Sequence, residues 1–187
     1  MMPHQRLLEM LATLSARTGS ITLTSGRQSN LYIDARMTTM SPDGLATIGS
    51  LALAALRDSG WNPDAVGGLT LGADPVSYAI AYASALAGTP IRAFTVRKEA
   101  KSHGTGKLIE GPFRAGDRAV VIEDVITTGG SALRAVEAVR AAGGIVQGVL
   151  AVVDREEGGR EALNAAGMSV IALARAADIL ARMPQDE

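Results

Sequence analysis

Apolar residues near the N-terminus fall at Leu7, Leu8, Met10, Leu11 and Leu14. This is the spacing of one helix face, and it predicts a helix up to about Arg17. Ile21–Leu23 and Leu31–Ile33 read as short strands around a polar turn, Thr24-Ser25-Gly26-Arg27-Gln28-Ser29-Asn30. Ser41-Pro42 supplies an N-cap and a proline at the first helical position, so a helix is expected from there to Asp58, with Gly60 as its C-cap. Strands and helices then alternate. A strand is expected at Ala65–Gly68, a helix capped by Asp74-Pro75 through about Ala87, and a strand at Ile91–Val96. Arg97–Pro112 has no apolar period and reads as a long loop, of the kind that is functional or disordered in compact domains. Further strands are expected at Arg118–Ile122, Ile145–Val153 and near Met168–Ala172. Helices are expected at Gly130–Ala142, near Gly159–Ala166 and from Arg175.

The alternation predicts an α/β fold with a mostly parallel sheet flanked by helices. Ligands then belong at the carboxyl ends of the strands. No internal repeat, low-complexity tract or linker is visible, so the 187 residues read as a single domain.

Composition narrows the function. The chain is 47% hydrophobic and 20% charged, with 18 basic and 19 acidic residues and a net charge of -1. That balance argues against broad nucleic-acid binding. There are no cysteines, which excludes disulfides, thiolate metal sites and a cysteine nucleophile and suits a reducing cytoplasm. No apolar run approaches the ~20 residues of a membrane span, and the N-terminus lacks a signal h-region. A cytoplasmic protein without membrane contacts is expected.

The most informative segment is Ala119-Val120-Val121-Ile122-Glu123-Asp124-Val125-Ile126-Thr127-Thr128-Gly129-Gly130-Ser131. A buried strand delivers two adjacent carboxylates at its end, and a turn of hydroxyls and glycines leads into a helix. Carboxylates accept hydrogen bonds from vicinal ribose hydroxyls and can help hold a hydrated Mg²⁺. Glycines allow close backbone approach, and the N–H groups of the helix start cradle a phosphate. A lone Gly-Gly-Ser turn would be an ordinary helix cap. The missing Lys and the spacing exclude a Walker A loop.

This segment resembles the phosphoribosyl pyrophosphate (PRPP) motif of the type I phosphoribosyltransferases. The resemblance implies a parallel sheet with a small hood, built largely from about residues 1–40 and the C-terminal segment, and a Mg²⁺-dependent transfer of phosphoribose. It makes Glu123 and Asp124 the ribose-binding pair, with Val125 and Ile126 alongside, and Thr127, Thr128, Gly129, Gly130 and Ser131 the 5-phosphate loop. Mg²⁺ would be held mainly by PRPP, with Asp124 the candidate protein contact.

Arg97-Lys98-Glu99-Ala100-Lys101-Ser102-His103-Gly104 concentrates cations at the start of the long loop. An arbitrary basic cluster would be a solvated loop. Here, departing pyrophosphate calls for Lys and Arg, and His103 could donate a proton or a hydrogen bond. The segment looks like the catalytic loop of the orotate phosphoribosyltransferase family. That likeness implies Lys101 as the catalytic cation, with Arg97, Lys98 and His103 contacting PRPP, and His103 and Asp124 sharing the catalytic role. It also implies a homodimer whose loops close over the neighbouring subunit's site.

Three more segments match that family. Leu23–Arg36 resembles its base-contacting hood, so Tyr32 and Ile33 are expected at the orotate site. Some members carry Lys where this chain has Thr24, and Thr cannot supply that charge. Val66–Pro75 resembles the pyrophosphate-side loop, centred on Leu71 and Gly72, where strained backbone, including cis peptides, is common in the family. Arg155 aligns with the arginine that holds orotate, whose carboxylate a guanidinium can bind in a bidentate manner. Otherwise Arg155 would be a surface residue paired to Glu156 or Glu157. Thr127 is expected to touch orotate as well.

The implied reaction is displacement of pyrophosphate from the anomeric carbon by orotate N1, giving orotidine 5'-monophosphate in the UMP pathway. One alternative is another type I phosphoribosyltransferase, acting on a purine or a different pyrimidine; the purine enzymes lack the Lys-rich loop. The other is a PRPP-sensing regulator. The balanced charge and the lack of an added DNA-binding helix pair count against it.

Overall fold

A computed structural model of the chain describes residues 2–22, 28–99 and 107–183, with only the backbone described at 20–22 and 28–30. Strands β3 (Ala65–Leu69), β4 (Arg92–Val96), β5 (Ile109–Glu110), β6 (Arg118–Ile126), β7 (Ile145–Asp154) and β8 (Val170–Arg175) form one sheet in the order β5-β4-β3-β6-β7-β8. Every pairing is parallel except β4 with the edge strand β5. The predicted α/β class with a mostly parallel sheet is therefore borne out.

Residue periodicity explains the layering. Along β6 and β7, Val120, Ile122, Leu150 and Val152 join one core cluster, and Ala119, Val121, Val149 and Ala151 join the other. Successive side chains of a strand point to opposite faces. With both faces apolar, both must be covered. On the first face, α3 (Pro42–Asp58) and α4 (Ala73–Leu86) contribute Ile48, Ala52, Leu56, Val76 and Ile80. On the second, α5 (Gly130–Ala141) and α6 (Gly159–Ala165) contribute Ala135, Val136, Val139 and Leu163. Helices α1 (Pro3–Met10) and α7 (Ala176–Leu180) add Leu7, Leu8 and Ile179 to the first cluster. Strands β1 (Ala16–Thr22) and β2 (Gln28–Ile33) form a separate antiparallel pair.

The start of α3 is as the sequence indicates. Ser41 Oγ accepts from Gly44 N at 3.0 Å, and Pro42 opens the helix. Several boundaries differ. The N-terminal helix becomes a π-helical turn over Leu11–Ser15 and ends before Arg17, because Ala16 already pairs with Ile33. A short helix α2 (Arg36–Thr39) follows the hood strands. The N-cap of α4 is Gly72, not Asp74, whose carboxylate instead accepts from the hydroxyls of Thr70 and Thr95. The long loop is interrupted by β5, which pairs Ile109 with Val96. Strand β6 runs on past Ile122, because Val125 and Ile126 stay in register with Val153 and Asp154 of β7. The last strand begins later than expected, at Val170, opposite Val149.

Strand β3 owes its central place to Gly67 and Gly68. A Cβ on Gly68 would overlap the carbonyl oxygen of Ile122 in β6, and one on Gly67 would overlap that of Phe94 in β4. Backbone atoms of a central sheet cannot step aside. Gly68→Ala is therefore expected to cost about 2–4 kcal/mol, read as a lower midpoint in urea unfolding. An unchanged midpoint would show that the strands can separate freely.

Candidate active site

The carboxyl ends of β3, β6 and β7 open into a cleft of about 380 Å³, closed on the other side by the end of β2 and the residues after it. Its lining includes Tyr32 and Ile33 from the hood, Leu71 and Gly72 after β3, and Lys98 after β4. Glu123, Asp124 and Val125 of β6, Thr127 of the following turn, Ser131 at the start of α5, and Arg155 after β7 also line it. These positions are distant in sequence, and the parallel topology brings them to one edge.

Glu123 and Asp124 lie inside β6, three and two residues before its last residue, rather than at its end. Strand alternation gives them different surroundings: Glu123 is buried, at 7% exposure, and Asp124 is half-buried. Burial, followed by the adjacent charge of Asp124, pushes the Glu123 carboxyl up to about 9. At neutral pH Glu123 therefore holds its proton and can donate as well as accept a hydrogen bond. Asp124 Oδ1 accepts from the Val125 N–H at 2.9 Å.

Beyond β6, Gly129 adopts φ 81° and caps α5 with no side-chain hydrogen bond. A Cβ there would lie 3.0 Å from the Gly159 carbonyl oxygen. The first N–H groups of α5 thus lack a side-chain cap, next to Thr127 and Ser131. This is the arrangement that binds phosphate at a helix start.

The turn after β3 forms the facing wall. The Thr70–Leu71 peptide is cis. Thr70 Oγ1 donates to Asp74 Oδ2 at 2.7 Å, and Thr70 N donates to Val96 O at 2.8 Å. Gly72 abuts Asp124 so closely that a Cβ would sit 2.5 Å from Oδ1.

Arg155 is buried rather than on the surface. Its Nη2 donates to Leu31 O at 2.9 Å and to Glu157 Oε1 at 2.6 Å. It therefore ties the end of β7 to hood strand β2. Neighbouring Asp154 is held by Arg160 Nε at 2.7 Å and accepts from Glu156 N at 2.9 Å.

Not every candidate reaches the cleft. Arg97 turns away: its Nε donates to Glu99 O at 3.3 Å and its Nη1 lies 3.5 Å from Glu110 Oε1. Ile126 is buried in the core, and Thr128, Gly129 and Gly130 build the turn without lining the cleft. Lys101, His103 and Thr24 lie outside the described residues. Asp34, Ala35, Arg36, Leu69 and Thr70 also line the cleft; the sequence placed them within the hood and pyrophosphate-side segments without singling them out. The signal available for two of them was an Asp and an Arg two positions apart, just past the hood strand. Arg36 Nε and Nη2 grip Asp34 Oδ1 and Oδ2 at 2.8 and 2.9 Å. That hydrogen bonding holds the Asp34 carboxyl below its ordinary value.

Glu123 gives stability a pH signature. In the unfolded chain it loses its proton near the ordinary 4.5, and in the folded chain only near 9. Its contribution is complete below the lower value and is lost as pH rises to the upper one. Glu123→Gln has no proton to lose. Its stability relative to the parent should rise steadily between the two values, by up to about 6 kcal/mol in all. Denaturant melts at a series of pH values would read this, and a difference that does not vary with pH would contradict it.

No family model matches the chain, but whole-protein comparisons are decisive. It is 43% identical over 183 residues to the orotate phosphoribosyltransferase of Aquifex aeolicus, covering 96% of this chain and 99% of the relative. The orotate phosphoribosyltransferase of Mycobacterium avium is 49% identical over 173 residues, with 91% and 94% covered. Among solved structures, the Mycobacterium tuberculosis orotate phosphoribosyltransferase in complex with PRPP superposes with a TM-score of 0.80 at 43% identity, covering 95% of this chain and 99% of the other. The expected family is thus borne out: the chain belongs to the orotate phosphoribosyltransferases.

Proposed function

We propose that the chain transfers phosphoribose from PRPP to N1 of orotate, forming orotidine 5'-monophosphate and pyrophosphate for UMP synthesis. The observation that supports this best is the meeting, in one cleft, of Glu123 and Asp124, the Thr127–Ser131 turn and Arg155. The acidic pair suits the ribose diol, with protonated Glu123 donating and Asp124 accepting. The uncapped N–H groups of α5 suit the 5-phosphate. Arg155 suits the orotate carboxylate.

In the reaction, N1 of orotate, its proton having passed to water, forms a bond to the anomeric carbon as the bond to the pyrophosphate oxygen breaks. The bonding pair leaves with pyrophosphate. The protein's task is to position both partners and to balance the charge that develops. Lys98 at the cleft rim and Lys101 and His103 of the adjoining loop would stabilise the departing group, with His103 able to protonate a pyrophosphate oxygen. Arg97 would join them after turning away from Glu110.

The donor set suits a Mg²⁺ carried by PRPP. The cleft offers the half-buried carboxylate of Asp124 but a neutral, buried Glu123, and Mg²⁺ readily keeps substrate oxygens and waters as its other ligands. Among the described residues, no group of three or more His, Cys, Asp and Glu could hold a metal. When bound, Mg²⁺ would offset the charge of pyrophosphate.

Loop sharing between two copies would make the working unit a homodimer. Tyr78, Tyr82 and Leu86 of α4 are exposed, and together with Leu45 of α3 they line an apolar groove of the kind that marks association. A cytoplasmic location suits the polyanionic substrates, and no described helix is long and apolar enough to cross a membrane.

Loss of orotate absorbance in the presence of PRPP and Mg²⁺ tests the activity. No loss of orotate, or equal loss with PRPP omitted, would reject it. Chelating the metal should stop turnover. Lys101→Ala should lower kcat by about 100-fold or more, while the KM for orotate changes little. Arg155→Ala should raise the KM for orotate by about tenfold or more. Sedimentation of a Leu86→Glu variant should show the dimer weakened; an unaltered dimer would direct attention to another face.

A further inference from the structure

We infer that Arg36 is a pyrophosphate-binding residue of this site, held in place for that purpose by Asp34. The inference rests on the reading of the cleft as a PRPP site and adds a residue to it.

Arg36 opens α2 immediately after the hood strand and faces the cleft across from β6. Its guanidinium is half exposed, yet its orientation is fixed. Nε and Nη2 bind the two oxygens of Asp34 side by side, and the Arg36 backbone N–H donates to Asp34 Oδ1 at 3.2 Å. This occupies one edge of the planar fork. Nη1, on the remaining edge, has no partner among the described residues. A guanidinium restrained in this way loses little freedom on gripping an anion.

Asp124 indicates which anion. Its carboxylate fills the space above Gly72, so the Thr70–Gly72 turn lies directly beside it. Arg36 and the turn line the same cleft as that carboxylate. A ribose held by Asp124 would direct its anomeric substituent into the space between them. The orotate carboxylate is better matched to Arg155, which is anchored to the hood strand through Leu31. A purely structural role explains Arg36 less well, since an exposed ion pair contributes little to stability.

Steady-state kinetics of Arg36→Ala, with PRPP and orotate varied separately, tests the inference. Binding of inorganic pyrophosphate with Mg²⁺ is measured in parallel by calorimetry. The KM for PRPP and the Kd for pyrophosphate should each rise by about tenfold or more, while the KM for orotate stays within about twofold. Arg36→Lys, which keeps the charge but loses the fork, should recover part of the loss. Asp34→Asn keeps the guanidinium but weakens its restraint, and should raise the same two constants by a smaller factor. An unchanged KM for PRPP would overturn the inference, as would a rise confined to orotate or a loss shared equally by all substrates with a lowered melting point. Wild-type protein that consumed no orotate would reject the proposed reaction instead, and the pyrophosphate titrations would still decide the role of Arg36.

Discussion

Two carboxyl groups on consecutive residues of a central strand create the electrostatic problem around which this site is built. Strand β6 is buried on both faces, and both carboxyl groups line the cleft, Glu123 from a buried position where a charge would be poorly solvated and Asp124 from a half-buried one. Only one of the two can stay ionised cheaply, and burial decides that Glu123 keeps its proton. The pair therefore offers a donor and an acceptor side by side, complementary to a vicinal diol. The flanking strands serve this arrangement. β3 comes close enough, through its glycines, to set its turn against Asp124, and β7 stays in register long enough to bring Arg155 to the same edge.

Much of this was legible in the sequence because it depends on local pattern. The run of apolar residues before Glu123 can hardly be anything but a buried strand, and Thr-Thr-Gly-Gly-Ser after it predicts the turn and helix that the structure contains. Ser41-Pro42 fixed a helix start to the residue for the same reason. Resemblance added Tyr32, Leu71, Gly72 and Arg155, all of which meet in the cleft.

What the sequence hid depends on partners far away along the chain. Strand β6 continues past Glu123 because β7 pairs with Val125 and Ile126, which no local window reveals. Asp74 looks like a helix cap, yet it is drawn to two threonine hydroxyls, one of them from β4. Arg97 reads as a ligand contact but pairs with Glu110, made available by the short edge strand β5. Asp34 and Arg36 form a pattern too common to single out. They become informative only once the hood is folded against the sheet.

The contact between Gly72 and Asp124 has an evolutionary consequence. One volume is shared by a turn and a carboxylate from distant parts of the gene, so the two positions cannot drift separately. Any side chain gained at the glycine would evict the acid from its place in the cleft. Relatives that replace this glycine should therefore show a compensating change at the acid or a shifted turn.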